Sequence, residues 1–251
     1  MNREEVGDDL ARAMVSELRW RFSRSDRRGQ DEALERAFRD RIRAHFPTDA
    51  ILGEEIEREG PVWSGTGWIV DPLDGTANFE AGIPVFCATF AYCVNDSPEL
   101  GWVADPMGDA VWKARLDAGA WRNDARLPTR ATREGRRIVA LSSQWRRREV
   151  DRVRVLARRA RDRTFGALAL ELCWVADRRL AAGVWDSARA WDLAAGSLIA
   201  SEAGAIVETL AGRPLSFVGP EESLRERQYS LAAWFPEERS ALESDVRGSG
   251  S

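Results

Sequence analysis

The chain has 251 residues, 44% of them apolar and 31% charged, enough to bury a sizeable core as one domain or two tightly joined subdomains. Its net charge of −4 gives no reason to expect nucleic acid or an anionic membrane as a partner, and the longest near-apolar run, Val85 to Val94, is too short to span a bilayer. Cys87, Cys93 and Cys173 sit in apolar runs without metal-type pairing, so they read as buried free thiols; with charged residues from Arg3 to Asp9, a cytoplasmic protein is expected.

In chain order, Val6, Leu10, Met14 and Leu18 recur every four positions and predict an amphipathic helix. A second helix is predicted from Asp31 to Phe46, with Leu34, Phe38, Ile42 and Phe46 on one face, after a polar, arginine-rich loop from Ser23 to Gln30. Asp31 stands at the start of that helix, either as an acid near a metal or as an ordinary N-terminal acid. The sole histidine, His45, lies near its end and reads as structural.

Ile51-Leu52-Gly53-Glu54-Glu55 places paired acids directly after a short apolar run, and a charged loop or hairpin follows to Gly67. Trp68, Ile69 and Val70 then predict a strand that stops at Asp71-Pro72, with a turn at Asp74-Gly75 leading into a helix. Pro72 holds Asp71 extended, so that the Asp71 and Asp74 carboxylates and the Leu73 carbonyl converge, an oxygen-rich set suited to Mg²⁺. Gly75 and Thr76 offer backbone N–H groups for a phosphate. The same residue types also make plain surface turns. A phospho-aspartate mechanism of the Asp-x-Asp-Gly-Thr kind is disfavoured, because Pro72 occupies the position two before Asp74.

Short runs at Val85–Val94, Leu100–Ala104, Ala110–Ala114 and Ala118–Trp121, separated by turn residues, predict an antiparallel sheet packed with tryptophans 102, 112 and 121. A subdomain boundary is expected near 130–137, before a strand from Ile138 to Leu141, dividing the chain into an α+β part over 1–135 and an α/β part over 136–247. Trp145 to Arg163 carries nine arginines over an apolar stripe of Val150, Val153, Leu156 and Ala160, expected as a solvated helix. Gly166 to Ala182 reads as an apolar helix stopped at Gly183, and Asp192 to Ala203 as another, with small residues Ala194, Ala195 and Gly196 for close packing. Ile206-Val207 and Ser230–Trp234 are expected strands, Pro236–Val246 a last helix, and 248–251 a flexible tail.

Three of these segments, Gly53-Glu54-Glu55, Asp71-Pro-Leu-Asp-Gly-Thr-Ala-Asn-Phe79 and Trp191-Asp-Leu-Ala-Ala-Gly196, stand in an order that resembles the inositol monophosphatase family, over about Asp31 to Val207. The resemblance implies a layered αβαβα sandwich, classed α+β or α/β, and Mg²⁺-dependent hydrolysis of a phosphate monoester by metal-activated water, commonly in a homodimer and inhibited by lithium. It implies two or three Mg²⁺ ions. Glu54, Asp71 and the Leu73 carbonyl would hold one, Asp71, Asp74 and Asp192 the second, and Glu54 with Asp31 a weaker third whose water Thr76 contacts. Glu55 would stand behind these ligands, and Ala167 and Leu168 would border the pocket. Asp74, Gly75, Thr76, Asp186 and Asp192 would meet the substrate, Asp186 being one position nearer to Asp192 than the family's usual acid. Arg189 is either a contact for a second phosphate or a rim charge. An inositol or similar polyol monophosphate is the first choice of substrate, ahead of histidinol phosphate, fructose 1,6-bisphosphate and 3′-phosphoadenosine 5′-phosphate. The altered Ser23–Gln30 loop motivates the contrasting reading, a ligand-binding relative without turnover.

Overall fold

Leu10, Met14 and Leu18 on α1 (Arg3–Phe22) and Leu34, Phe38 and Ile42 on α2 (Asp31–His45) form one apolar face, and it lies on a mixed sheet. In this computed structural model, residues 1–57, 59–129, 137–142 and 160–239 are described. α1 is closed at its start by a capping box between Asn2 and Glu5.

The first sheet runs in sequence order: β1 (Ala50–Gly53), β2 (Gly67–Asp74), β3 (Cys87–Val94), β4 (Ser97–Asp105), β5 (Ala110–Arg115), β6 (Gly119–Arg122) and β7 (Ala125–Arg126). Every neighbouring pair is antiparallel except β1 with β2, which run parallel. Its strands alternate faces. Trp68, Val70, Phe90 and Trp102 point toward α1 and α2, whereas Ile69, Ala91, Val103 and Trp112 join the core on the other side. α3 (Thr76–Ala81) follows β2, and its Phe79 packs on Phe22 and Phe86.

That other side is filled by α4 (Leu168–Ala176) and α5 (Ala190–Glu202), which also cover a second sheet ordered β11-β12-β10-β8-β9. Its strands are β8 (Ile138–Leu141), β9 (Arg161–Arg163), β10 (Ala182–Ala188), β11 (Ile206–Thr209) and β12 (Tyr229–Trp234), with α6 (Glu221–Glu226) entering before β12. The layers α1/α2, first sheet, α4/α5 and second sheet agree with the sandwich expected. The reading of a further helical layer falls on residues 143–159 and 240–251, outside the described residues. The expected boundary over 130–136 lies outside them too. α5 approaches both the first sheet and α4 closely because its residues are small: a Cβ on Gly101 of β4 would meet Ala195 Cα at 3.0 Å, and one on Gly196 would meet Leu172 of α4 at 2.8 Å.

Three sequence expectations are corrected. The apolar helix does not run from Gly166 to Ala182: α4 ends at Ala176, Arg178 turns the chain at φ 64°, and residues 182–188 form β10. β10 is largely buried on both faces between α4 and the outer core, so its sequence lacks the alternation that marks a half-exposed strand. Gly183 is no helix stop; a Cβ there would lie 2.0 Å from the Trp185 ring. The helix expected to reach Arg163 gives way by Arg161 to β9, an edge strand that exposes Arg161 and Arg163. Finally, β2 does not stop at Asp71-Pro72 but continues to Asp74.

Among the described residues no helix is long and apolar enough to cross a membrane. The three cysteines are buried and unbridged.

Candidate active site

The extension of β2 explains how its two acids meet. Residues three apart on a regular strand face opposite sides. Between β2 and β3, however, Asp71 pairs with Thr89 and Asp74 with Cys87, so two residues of β2 oppose one of β3. This bulge reverses the alternation and turns both carboxylates toward α5. It also accommodates Pro72, which has no N–H for a ladder bond. Asp71 Oδ1 accepts from the Leu73 N–H at 2.8 Å, and Asp74 Oδ2 from the Ala169 N–H at 2.7 Å at the start of α4.

Asp192 reaches the same point from the first turn of α5, where Oδ2 accepts from the Arg189 N–H at 2.8 Å. One carboxylate oxygen from each of Asp71, Asp74 and Asp192 lies within 4.8 Å of the others, a candidate metal centre. Burial raises the pKa of all three. For Asp71 the charges of Glu54, Asp74 and Asp192 add to the rise, and for Asp74 that of Asp192 does. Asp192 is pushed up to about 6, less far because the Arg189 N–H and guanidinium favour its ionised form.

Parallel pairing of β1 with β2 sets Gly53 beside Val70, so Glu54 leaves its strand at the same edge as Asp71. Glu54 is exposed overall, yet its carboxyl is partly desolvated and faces Asp192, Glu55 and Asp31, which push it up to about 7. The Thr76 hydroxyl lies 2.8 Å from Asp31 Oδ1 and 3.0 Å from the Leu73 carbonyl, bringing three expected site residues together. Gly75 takes φ 94° at the start of α3, where a Cβ would crowd the Val85 carbonyl at 3.0 Å and Ala167 at 3.2 Å. Among the described residues no side chain caps the start of α3, which directly follows Asp74 and Gly75.

The side chains of two further expected residues have partners outside the three-carboxylate cluster. Asp186 Oδ1 accepts from the Ser230 hydroxyl at 2.5 Å and the Ser187 N–H at 2.9 Å. Arg189 Nη1 donates to the carbonyls of Arg225 and Glu226, at 2.9 and 2.8 Å.

Two buried acids have roles that the sequence did not disclose: Glu35, which stands four residues after Asp31, and Glu171. Glu35, on the buried face of α2, pairs with Arg39 at 2.7 Å and accepts from the N–H groups of Glu55 (2.7 Å) and Ile56 (3.3 Å). It therefore holds the Gly-Glu-Glu segment in place. Gly53 leaves it room, since a Cβ would lie 2.2 Å from its carboxylate. Glu171 on α4 accepts from the Gly166 N–H at 2.9 Å, the Phe165 N–H at 3.2 Å and the Trp185 indole at 2.5 Å. It fixes the loop that delivers Ala169 to Asp74. Each had a mark in the sequence: a Glu–Arg pair four apart among the apolar positions of a helix, and a single acid in an apolar one.

A sequence profile of the inositol monophosphatase family matches residues 29–243. The chain belongs to the inositol monophosphatase family. The inositol-1-monophosphatase of Bacillus subtilis (strain 168) is 33% identical over 195 residues, covering 75% of this chain and 74% of that one. The protein named Nus factor SuhB of Haemophilus influenzae is 35% identical over 184 residues, 70% of this chain and 69% of its own. Inositol monophosphatase II from Staphylococcus aureus MSSA476 superposes with a TM-score of 0.81 over 98% of this chain and 93% of its own; at 24% identity this is a likeness of fold. Phosphatase chemistry is thus assigned at the level of the family, whose members carry more than one functional name.

Proposed function

We propose that the chain hydrolyses a small phosphate monoester, inositol monophosphate or a similar polyol phosphate, with Mg²⁺. The observation that carries this reading is the convergence of three carboxylates from a bulged strand and a facing helix, beside the uncapped start of α3. Their raised pKa values mark a site that is costly to ionise without a cation, and the all-oxygen donor set suits a hard ion such as Mg²⁺. When bound, such ions lower the pKa of water and neutralise charge on the phosphate oxygens.

In this reading Glu54, Asp71 and the Leu73 carbonyl would hold one ion and Asp71, Asp74 and Asp192 a second, with Asp31 and Glu54 available to a weaker third. Thr76 passes a proton toward Asp31, an acceptor already at hydrogen-bond distance, while its hydroxyl oxygen accepts from the attacking water. The N–H groups of Gly75 and Thr76 receive the phosphate, and Asp186 and Asp192 contact substrate hydroxyls. Retention of every acid in the cluster favours turnover over ligand binding alone. The two carbonyls on Arg189 Nη1 favour a tethering role for this arginine over contact with a second phosphate. A cytoplasmic homodimer belongs to the proposal on the family resemblance, and sedimentation of the purified protein checks its assembly.

Phosphate release from inositol 1-phosphate, histidinol phosphate, fructose 1,6-bisphosphate and 3′-phosphoadenosine 5′-phosphate, with Mg²⁺ and with chelator, tests the reading. Chelator-sensitive release, fastest with inositol 1-phosphate, is expected. Release that persists in chelator contradicts the metal mechanism, and no release from any substrate favours the binding protein.

A further inference from the structure

The cluster draws its acids from segments far apart in sequence, and two arginines outside it link them. Arg189 joins Asp192, through its N–H, to the carbonyls of Arg225 and Glu226 at the end of α6. Arg225 reaches onward in the other direction. Its Nη2 donates to the Ile56 carbonyl at 2.6 Å and its Nη1 to the Glu54 carbonyl at 3.3 Å, across a separation of 171 residues. Its Nε lies 3.3 Å from Glu221 Oε1, and its guanidinium sits 6.0 Å from the centre of the Trp191 ring. The Arg225 side chain is only 12% exposed.

We propose that Arg225 is a positioning residue for Glu54. Resting on the reading of Glu54 as a metal ligand, it fixes the backbone of residues 54–56 against the second half of the chain and so sets the reach of the Glu54 carboxyl over Asp71 and Asp192. A guanidinium suits this role because it is charged at all working pH values and its planar fork spans two carbonyls at once. Each of its three nitrogens already has a protein acceptor, which separates this role from that of a phosphate-binding arginine. The same segment is held from the α2 side by Glu35 and by Arg39, whose Nη2 donates to the Ile56 carbonyl at 2.8 Å. Loss of Arg225 therefore loosens Glu54 without releasing the whole loop.

The test compares wild type, Arg225→Ala and Arg225→Lys in three measurements: Mg²⁺ titration by calorimetry, amide exchange over residues 53–56, and Mg²⁺-dependent phosphate release. Arg225→Ala is expected to weaken Mg²⁺ binding about tenfold, the effect of losing one charge-assisted hydrogen bond, and to speed exchange at 53–56, with substrate KM little changed. Arg225→Lys, able to reach one carbonyl at a time, should recover part of both losses and confirms the role even if the alanine variant folds poorly. Unchanged metal affinity and exchange in folded variants overturn the proposal, as does a rise in substrate KM alone, which would make Arg225 a substrate contact. If wild type releases no phosphate, the phosphatase reading fails by itself, and the titration and exchange arms still decide on Arg225.

Discussion

The inner and outer acids of the site are held in different ways. Asp71, Asp74 and Asp192 lie inside the sandwich, and each carboxylate accepts from a backbone N–H fixed by a strand or a helix start. Glu54 and Asp31 stand at the mouth, one on a loop held by Glu35, Arg39 and Arg225, the other at the first residue of α2. The inner set is preorganised by the fold, whereas the outer set depends on side-chain tethers. The inner set is therefore expected to bind metal more tightly, and the outer set to govern the water and respond to milder changes.

The largest effect should come from the inner set. Asp71→Asn and Asp192→Asn are each expected to lower Mg²⁺-dependent phosphate release by roughly a thousandfold or more, because metal-held charge supplies several kcal/mol of the rate. Near-normal rates in either purified variant would erase the distinction.

Next comes the proton path at the mouth. Thr76→Val removes the hydroxyl beside Asp31 and should reduce kcat about a hundredfold, the usual scale of a positioned proton acceptor, while calorimetry finds tight Mg²⁺ binding largely kept. Equal loss of binding and rate would merge the two sets into one.

Metal binding should also follow pH. With Asp192 raised to about 6 and Glu54 to about 7, both acids retain protons that Mg²⁺ must displace. Affinity is expected to rise by about tenfold or more as pH passes through 6 and 7, and the more strongly raised Asp71 and Asp74 carry the rise further upward. Because the folded-state pKa values of Glu54 and Asp192 lie above those of the unfolded chain, their contribution to the stability of the metal-free protein should be fully present below the unfolded carboxylate range near 4. That contribution should be lost as pH rises through 6 to 7. Mg²⁺ at about a hundred times its Kd should restore about 2.7 kcal/mol at neutral pH, read by urea unfolding with and without chelator. A metal-free protein that gains stability over the same pH range would contradict these directions.

The smallest change is expected at Asp186, outside the cluster. Asp186→Asn should raise substrate KM about fivefold with kcat nearly unchanged, the loss of one polar contact to a substrate hydroxyl. A fall in kcat with KM unaltered would remove it from the substrate-binding set.

Motifs disclosed the acids of the site: Glu54 and Asp71 follow apolar runs that buried strands need, and Asp192 opens an apolar helix. Helices α1 and α2 and the antiparallel strands were legible from their period, since each has one apolar face. The stretch from Ala182 to Ala188 was not, because burial on both sides leaves no alternation to read. The roles of Glu35 and Glu171 were not legible for a related reason. Besides Arg39 and the Trp185 indole, they hold backbone N–H groups at Glu55, Ile56, Phe165 and Gly166, whose need for an acceptor has no residue type to announce it.

By itself the sequence determined which oxygen donors are present, the order in which they come, and that the chain has enough apolar surface to bury them. The tertiary structure settled how the expected convergence of Asp71 and Asp74 is achieved: the strand runs on past Asp71 instead of ending there, and the extra residue of the bulge brings the two carboxylates to one side. It also decided that Glu54 lies beside Asp71, through the parallel pairing of β1 with β2, and that Arg225 reaches back to Glu54. Pairing and register arise from burial shared among distant segments, and no local run of residues contains that information.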